Sequence, residues 1–150
     1  MDWKLEVVVV PVTDVDRSKA FYADQLGFVV DVDTSLAPGV RIVQLTPPGS
    51  GCSIMIGQGM ESMADAEPGS LQGVQLCVGD IDAAHAQLVE RGVDCTPVQH
   101  VGAAGWEAGK GGDWNSFVMF NDPDGNGWAV QESPTIRKEL LAATGSAAEA

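Results

Sequence analysis

Glu132 ends the run Ala129-Val130-Gln131-Glu132 and is the residue of this chain best suited to proton transfer. A carboxylate at the end of an apolar strand can act as a general base toward a bound molecule or give an oxygen to a divalent cation. Gln75 adds an amide. His100, just before a glycine-rich stretch, reads either as a plain loop residue or as an imidazole able to swing over a pocket. His85 lies mid-helix between Ala84 and Ala86, where a solvated or half-buried structural role is expected. One Glu, one Gln and one loop His fall short of the three or four converging ligands that a catalytic metal needs. Cys52, Cys77 and Cys95 are odd in number and show no CxxC spacing; Cys77 alternates within a strand pattern and reads as a small apolar residue.

Composition narrows the classes. At 150 residues the chain is one domain, or two small modules sharing a core. Eight Lys and Arg stand against 21 Asp and Glu, a net charge of −13, which argues against nucleic acid and anionic membranes as partners. There is no basic, apolar, small-residue leader, and no apolar run approaches the roughly 20 residues that span a bilayer. A cytoplasmic protein is expected.

The elements that must position these residues come as a repeat. Val12-Thr13-Asp14-Val15-Asp16 leads into a helical stretch stopped by Gly27, and Val78-Gly79-Asp80-Ile81-Asp82 into one stopped by Gly92. Asp14 and Asp80 are the expected N-caps and the glycines the expected stops. Lys4 to Val12 is nearly continuous and β-branched, predicting a strand buried on both faces. Strands are predicted from Phe28 to Asp33, and a hairpin joins Val40–Thr46 to Ser53–Gly57 around Pro47-Pro48-Gly49. Gly73–Val78 and Val93–Val98 are the second copy's first strands. Val101 to Asp113 departs from the repeat: glycine-rich yet carrying Trp106, with Trp114 just beyond, it reads either as a flap over a ligand or as a surface loop. The tail from Ser133 is expected to form a turn or two of helix around Ile136 to Leu141, with frayed residues from Thr144. Module 1 thus covers about 4–58, a linker about 59–71, module 2 about 72–132 and a tail 133–150, in one domain over 1–150.

Asp14-Val15-Asp16-Arg17-Ser18-x-Ala20-Phe21-Tyr22 with Leu26-Gly27-Phe28, its partial copy at Asp80-Ile81-Asp82 with Arg91-Gly92-Val93, and Asp122-Pro123-Asp124-Gly125-Asn126 together resemble the vicinal oxygen chelate superfamily. That superfamily includes glyoxalase I, bleomycin-resistance proteins, methylmalonyl-CoA epimerases and extradiol dioxygenases. The resemblance runs from about residue 5 to 132. It implies an α+β fold of two tandem βαβββ modules, curled into an open barrel with a concave sheet and outer helices, and commonly a homodimer. The fold does not fix the chemistry.

The superfamily's enzymes hold a divalent metal through residues on the first and last strands of each module. The usual first-strand His falls at Val7, seven residues before Asp14, and the matching place before Asp80 is Gly73. Neither can ligate. The last strand of module 1 offers no carboxylate. In module 2 the glycine of Asn126-Gly127-Trp128 leaves open whether Val130, Gln131 or Glu132 faces the pocket. No metal and no other cofactor is expected. On the concave sheet that the resemblance implies, Val7, Val9, Gln44, Met55, Gln75, Met119 and Gln131 become candidate lining residues, with His100, Trp106 and Trp114 above them. Such a cavity suits a medium-sized, partly aromatic molecule bound without metal, as by the bleomycin-resistance members. The alternative is a lyase, epimerase or dioxygenase using an atypical metal set, or metal-free acid–base chemistry at Glu132.

Overall fold

The structure, a computed structural model, describes residues 1–60 and 65–148. The helices begin as their capping residues dictate. Asp14 accepts the Arg17 backbone N–H at 3.0 Å and opens α1 (Val15–Ala20). Asp80 accepts those of Asp82 and Ala83, each at 3.0 Å, and opens α2 (Ile81–Glu90). Each aspartate satisfies donors that a first helical turn leaves unpaired. α1 widens into a π-helical turn, Phe21–Gln25, which buries Phe21 and Tyr22. Gly27 and Gly92, both at φ 76°, then reverse the chain, a conformation a Cβ would strain.

Two compact units result: Met1–Gln72 with Asn121–Gly127, and Gly73–Phe120 with Trp128–Ala150. The Asp122–Asn126 turn thus belongs to the first unit, although in sequence it lies in the second repeat.

The first unit holds a mixed sheet in the order β1 (Val7–Val9), β4 (Ser53–Gln58), β3 (Val40–Thr46), β2 (Val29–Ala37). β1 runs parallel to β4, and the other pairs are antiparallel. Only three residues of the expected Lys4–Val12 strand are extended. As an edge strand β1 is half-buried to exposed rather than buried on both faces, because it pairs on one side alone. Val43, Leu45, Ile54 and Ile56 point to the face that α1 covers and are buried. Ion pairs set the helix on that face. The Arg41 guanidinium forks onto Asp33 at 2.8 and 2.9 Å and reaches Asp16 of α1 at 2.8 Å, while Lys19 of α1 reaches Asp33 at 2.7 Å. Hydrogen bonds from Arg41 and then Lys19 hold the Asp33 carboxyl far below the usual aspartate range.

A buried polar node fixes the first unit's loops. Both Asp122 oxygens are occupied. One accepts the Tyr22 hydroxyl and the Asn126 Nδ2, each at 2.7 Å; the other accepts the Asp124 and Asn126 backbone N–H, each at 2.9 Å. Asn126 also donates to the Pro11 carbonyl at 2.9 Å and accepts the Leu71 N–H at 3.1 Å.

In the second unit the order is β5 (Val74–Val78), β9 (Gly127–Glu132), β8 (Phe117–Asn121), β6 (Gln99–Gly102), β7 (Gly105–Ala108), with β5 parallel to β9. Val118, Phe120, Trp128 and Val130 are buried, and the Phe120 and Trp128 rings stack with centroids 6.1 Å apart. The architecture is therefore α+β, with two mixed sheets, three helices and no closed barrel among the described residues.

Three expectations need correction. Val93–Val98 is irregular: it meets β8 at the isolated Cys95–Phe120 bridge and through Thr96, whose N–H donates to the Met119 carbonyl at 2.8 Å. Pro97 lacks a donor, and the Thr96 hydroxyl takes the Met119 N–H at 2.9 Å in place of a ladder carbonyl. The segment after it is no structureless loop, because β6 and β7 form a hairpin through it with Val101 opposite Trp106. The tail forms α3 (Pro134–Ala148), well beyond two turns. Pro134 sits at the first helical position, Ser133 Oγ accepts the Ile136 N–H at 3.3 Å, and Lys-Glu-Leu-Leu-Ala-Ala favours continuation. Residues 61–64 of the expected linker, and the last two of the tail, lie outside the described residues.

Two outcomes follow for stability. Asn126→Ala, which strips partners from Asp122, Pro11 and Leu71 together, is expected to cost about 3 kcal/mol in chemical denaturation. Asp33→Asn is expected to be less stable than the parent at neutral pH. A depressed carboxyl stabilises fully above its unfolded pKa of about 3.9 and loses that contribution as pH falls toward its folded value, so the deficit of the variant should shrink only in strong acid. Denaturant midpoints measured across pH check this.

Candidate functional site

The register of β9 decides which of its polar residues lies on the open face of the second sheet. Ala129 pairs with Gln75, Gln131 with Cys77, and Glu132 with Val78. Gln75 and Cys77 are exposed, while Val74, Leu76 and Val78 are half-buried. Paired residues share a face, so Ala129 and Gln131 join Gln75 and Cys77 on the open face. Glu132 turns to the other face with Trp128 and Val130. The ambiguity left by Gly127 resolves in favour of Gln131.

Glu132 is only 4% exposed, and its oxygens are taken. One accepts the Ile81 backbone N–H at 3.0 Å and the Lys110 ammonium at 2.9 Å; the other meets the Arg137 guanidinium. A carboxylate at the start of α2, held by two cations and a helix N–H, anchors α2 and α3 instead of serving as an open-face base. It borders a cavity of about 470 Å³ lined by Gly79, Lys110, Arg137, Leu140 and Thr144, on the side of the sheet that the helices occupy.

Further along the second sheet, Gln99 pairs with Phe117 and Val101 with Trp106. Phe117 and Met119 alternate with buried Val118 and Phe120 and therefore lie on the open face. The Trp106 ring, 52% exposed, stands edge-on to Phe117 with centroids 5.6 Å apart. His100 pairs with Glu107 and points the opposite way from Trp106. Its Nδ1 lies 2.9 Å from the Gly109 carbonyl and its Nε2 3.7 Å from Glu107, so it does not swing over this face. Trp114 enters through its backbone: at φ 61° it offers its carbonyl to Gln131 Nε2 at 2.7 Å.

On the first sheet, Val7 pairs with Ser53, Val9 with Met55, and Met55 with Gln44. The four expected lining residues Val7, Val9, Gln44 and Met55 therefore share the face opposite α1. They carry a polar string with them. Gln44 Nε2 donates to Ser53 Oγ at 3.2 Å, the Ser53 and Thr46 hydroxyls lie 2.6 Å apart, and Thr46 donates to Asp31. Asp31 lies where the register of β2 shifts, between Val30 and Val32. Asp31, Thr46, Ser53 and Phe117 were missed by sequence reasoning. Strand alternation from Met119 would have found Phe117, but nothing local announces the bulge.

The donor set does not fit the metal of the resembling enzymes. Val7 and Gly73 stand at the two first-strand positions, and the open faces of β4 and β9 offer Ser53, Met55, Gly57, Ala129 and Gln131. Among the described residues no three His, Cys, Asp or Glu side chains are grouped to hold a cation. Burial, and then the Asp94 charge, raise the Cys95 thiol, which disfavours a reactive thiolate there.

Residues 4–130 match the profile of the Glyoxalase/Bleomycin resistance protein/Dioxygenase superfamily. Among solved structures, TnmS3, an antibiotic binding protein from Streptomyces sp. CB03234, is 30% identical with a TM-score of 0.68, covering 88% of this chain and 97% of its own. A glyoxalase/bleomycin resistance protein from the same organism is 32% identical with a TM-score of 0.65, covering 85% of this chain and 99% of its own. A superfamily member from Sphaerobacter thermophilus DSM 20745 is 29% identical with a TM-score of 0.68, over 88% of this chain and 98% of its own. No curated protein matches the chain.

If Glu132 anchors helices, Glu132→Gln should lower stability by about 2–3 kcal/mol in denaturant titration and leave ligand binding at the open faces unchanged.

Proposed function

Because the chain belongs to the glyoxalase/bleomycin resistance protein/dioxygenase superfamily, we propose that it is a binding protein for a medium-sized, partly aromatic small molecule, held without the divalent metal of the superfamily's enzymes. The observation that carries this reading is the division of labour across β9. The well-formed carboxylate, Glu132, is spent on Lys110, Arg137 and the start of α2, whereas the open face keeps Gln131, Gln75, Met119, Phe117 and the half-exposed Trp106. Apolar and aromatic surface with a few oriented amides favours an organic ligand through burial and ring contacts, with hydrogen bonds setting its orientation. On the first sheet, Val7, Val9, Met55 and Gln44 offer the same mixture. The description of TnmS3 as an antibiotic binding protein, at 30% identity, supports the same class.

The reading separates from a metalloenzyme by two measurements on purified protein: elemental analysis, and tryptophan fluorescence titrated with 7-hydroxyflavone as a planar aromatic probe. Saturable quenching that persists in EDTA, and weakens in Trp106→Ala, is the expected result. Stoichiometric metal, with binding lost on chelation, would overturn it.

A further inference from the structure

The polar string on the first sheet has a direction, and the direction follows from its end. A carboxylate only accepts hydrogen bonds, so the Thr46 hydroxyl must spend its one proton on Asp31. Thr46 Oγ1 is then left as the acceptor in its 2.6 Å contact with Ser53, and the Ser53 proton must go to it. Ser53 Oγ, its proton spent, accepts from Gln44 Nε2 at 3.2 Å. The order Gln44 → Ser53 → Thr46 → Asp31 is therefore the one arrangement that satisfies every member.

An amide can ordinarily flip, but this string fixes Gln44 with its NH2 toward Ser53 and its Oε1 away from it. Donation along a chain that ends in a carboxylate polarises each link and makes that Oε1 a better acceptor. On the second sheet Gln131 is fixed in the same sense for another reason. Its Nε2 donates at 2.7 Å to the Trp114 carbonyl, which can only accept. The open face of each sheet thus presents an amide oxygen whose orientation the protein has already set.

The geometry points to a ligand that carries hydrogen-bond donors, most simply phenolic hydroxyls on its aromatic part, with Gln44 as a specificity-determining residue set by Thr46 and Asp31. This rests on the small-molecule reading above and goes beyond it in naming the chemistry of the ligand's polar edge. A ligand bearing only carbonyl or ether oxygens would meet like-with-like at Gln44, and a buried acceptor left unpaired costs affinity.

The test compares 7-hydroxyflavone with 7-methoxyflavone by tryptophan quenching, at mildly acidic pH where the phenol is neutral. The parent protein should bind the hydroxyl compound about five- to tenfold more tightly, the worth of one well-placed hydrogen bond. Gln44→Met should abolish that preference by weakening the hydroxyl compound alone. Thr46→Val keeps a β-branched side chain but cuts Ser53 off from Asp31. It frees the amide to flip and should narrow the preference even though Gln44 is intact. A merely structural Thr46 would weaken both compounds equally. Equal binding of the two flavones by the parent protein, or an unchanged preference in both variants, overturns the donor proposal and leaves small-molecule binding standing. Failure of both flavones to bind overturns the binding reading and this proposal with it.

Discussion

Asp122 is a carboxylate removed from water, and the first unit is arranged around keeping it satisfied. Taking such a charge out of solvent costs several kcal/mol unless its lone pairs are met. Here two backbone N–H groups from its own turn, the Asn126 amide and the Tyr22 hydroxyl meet them. Tyr22 reaches it from the wider turn at Phe21–Gln25, and Asn126 binds Pro11 where the chain leaves β1. Thr13 and Arg17 then close on Asp124, at 2.6 and 3.0 Å. One buried charge therefore constrains the exit of β1, the pitch of α1 and a turn far away in sequence. It also explains why that turn belongs to the first unit, whereas β8 and β9 on either side belong to the second.

The second constraint is the two-residue period of a strand. Gln131 and Glu132 are neighbours in sequence but belong to different chemistries, because one step along β9 moves a side chain from the open face to the helix-covered one. A carboxylate on the covered face could be tolerated only with charged partners, and Lys110 and Arg137 supply them from opposite directions along the chain. The open face keeps the neutral amide. The residue that looked most catalytic in the sequence, Glu132, is held on the covered face by Lys110, Arg137 and the Ile81 N–H.

What was legible in the sequence is what depends on short range. Caps at Asp14 and Asp80, stops at Gly27 and Gly92, and the hairpin of β3 and β4 are each specified within a few residues, and all are present. The superfamily was readable because its signals recur in order along the chain. The errors have equally definite causes. Thr96 and Pro97 break a strand that β-branched composition favours. The β6–β7 hairpin forms through a glycine-rich segment because pairing satisfies its backbone. His100 looked mobile, yet its pairing with Glu107 and its bond to Gly109 fix it on the far face. The partners of Glu132 come from Lys110, Ile81 and Arg137, and nothing near Glu132 in sequence predicts that convergence.

The two sheets reach a similar end by unlike means, and at positions that the repeat does not match. In the first, Gln44 is oriented through two hydroxyls and a carboxylate that sits at a register shift. In the second, Gln131 is oriented by a single carbonyl, that of Trp114 at φ 61°. A tryptophan in that region carries a backbone strain of roughly 1–2 kcal/mol, and its neighbours must hold it there. The Gln131 bond is the interaction seen at that carbonyl, so strain and amide orientation are coupled: relaxing Trp114 to negative φ would turn the carbonyl and release the amide. The two amides do not stand at matched places in the repeat, because Gln44 belongs to β3 and Gln131 to β9, so each sheet acquired its amide, and its way of stopping that amide from flipping, independently. Unlike local structures can reach one hydrogen-bonding outcome because what an amide oxygen offers depends on its direction and not on what holds it.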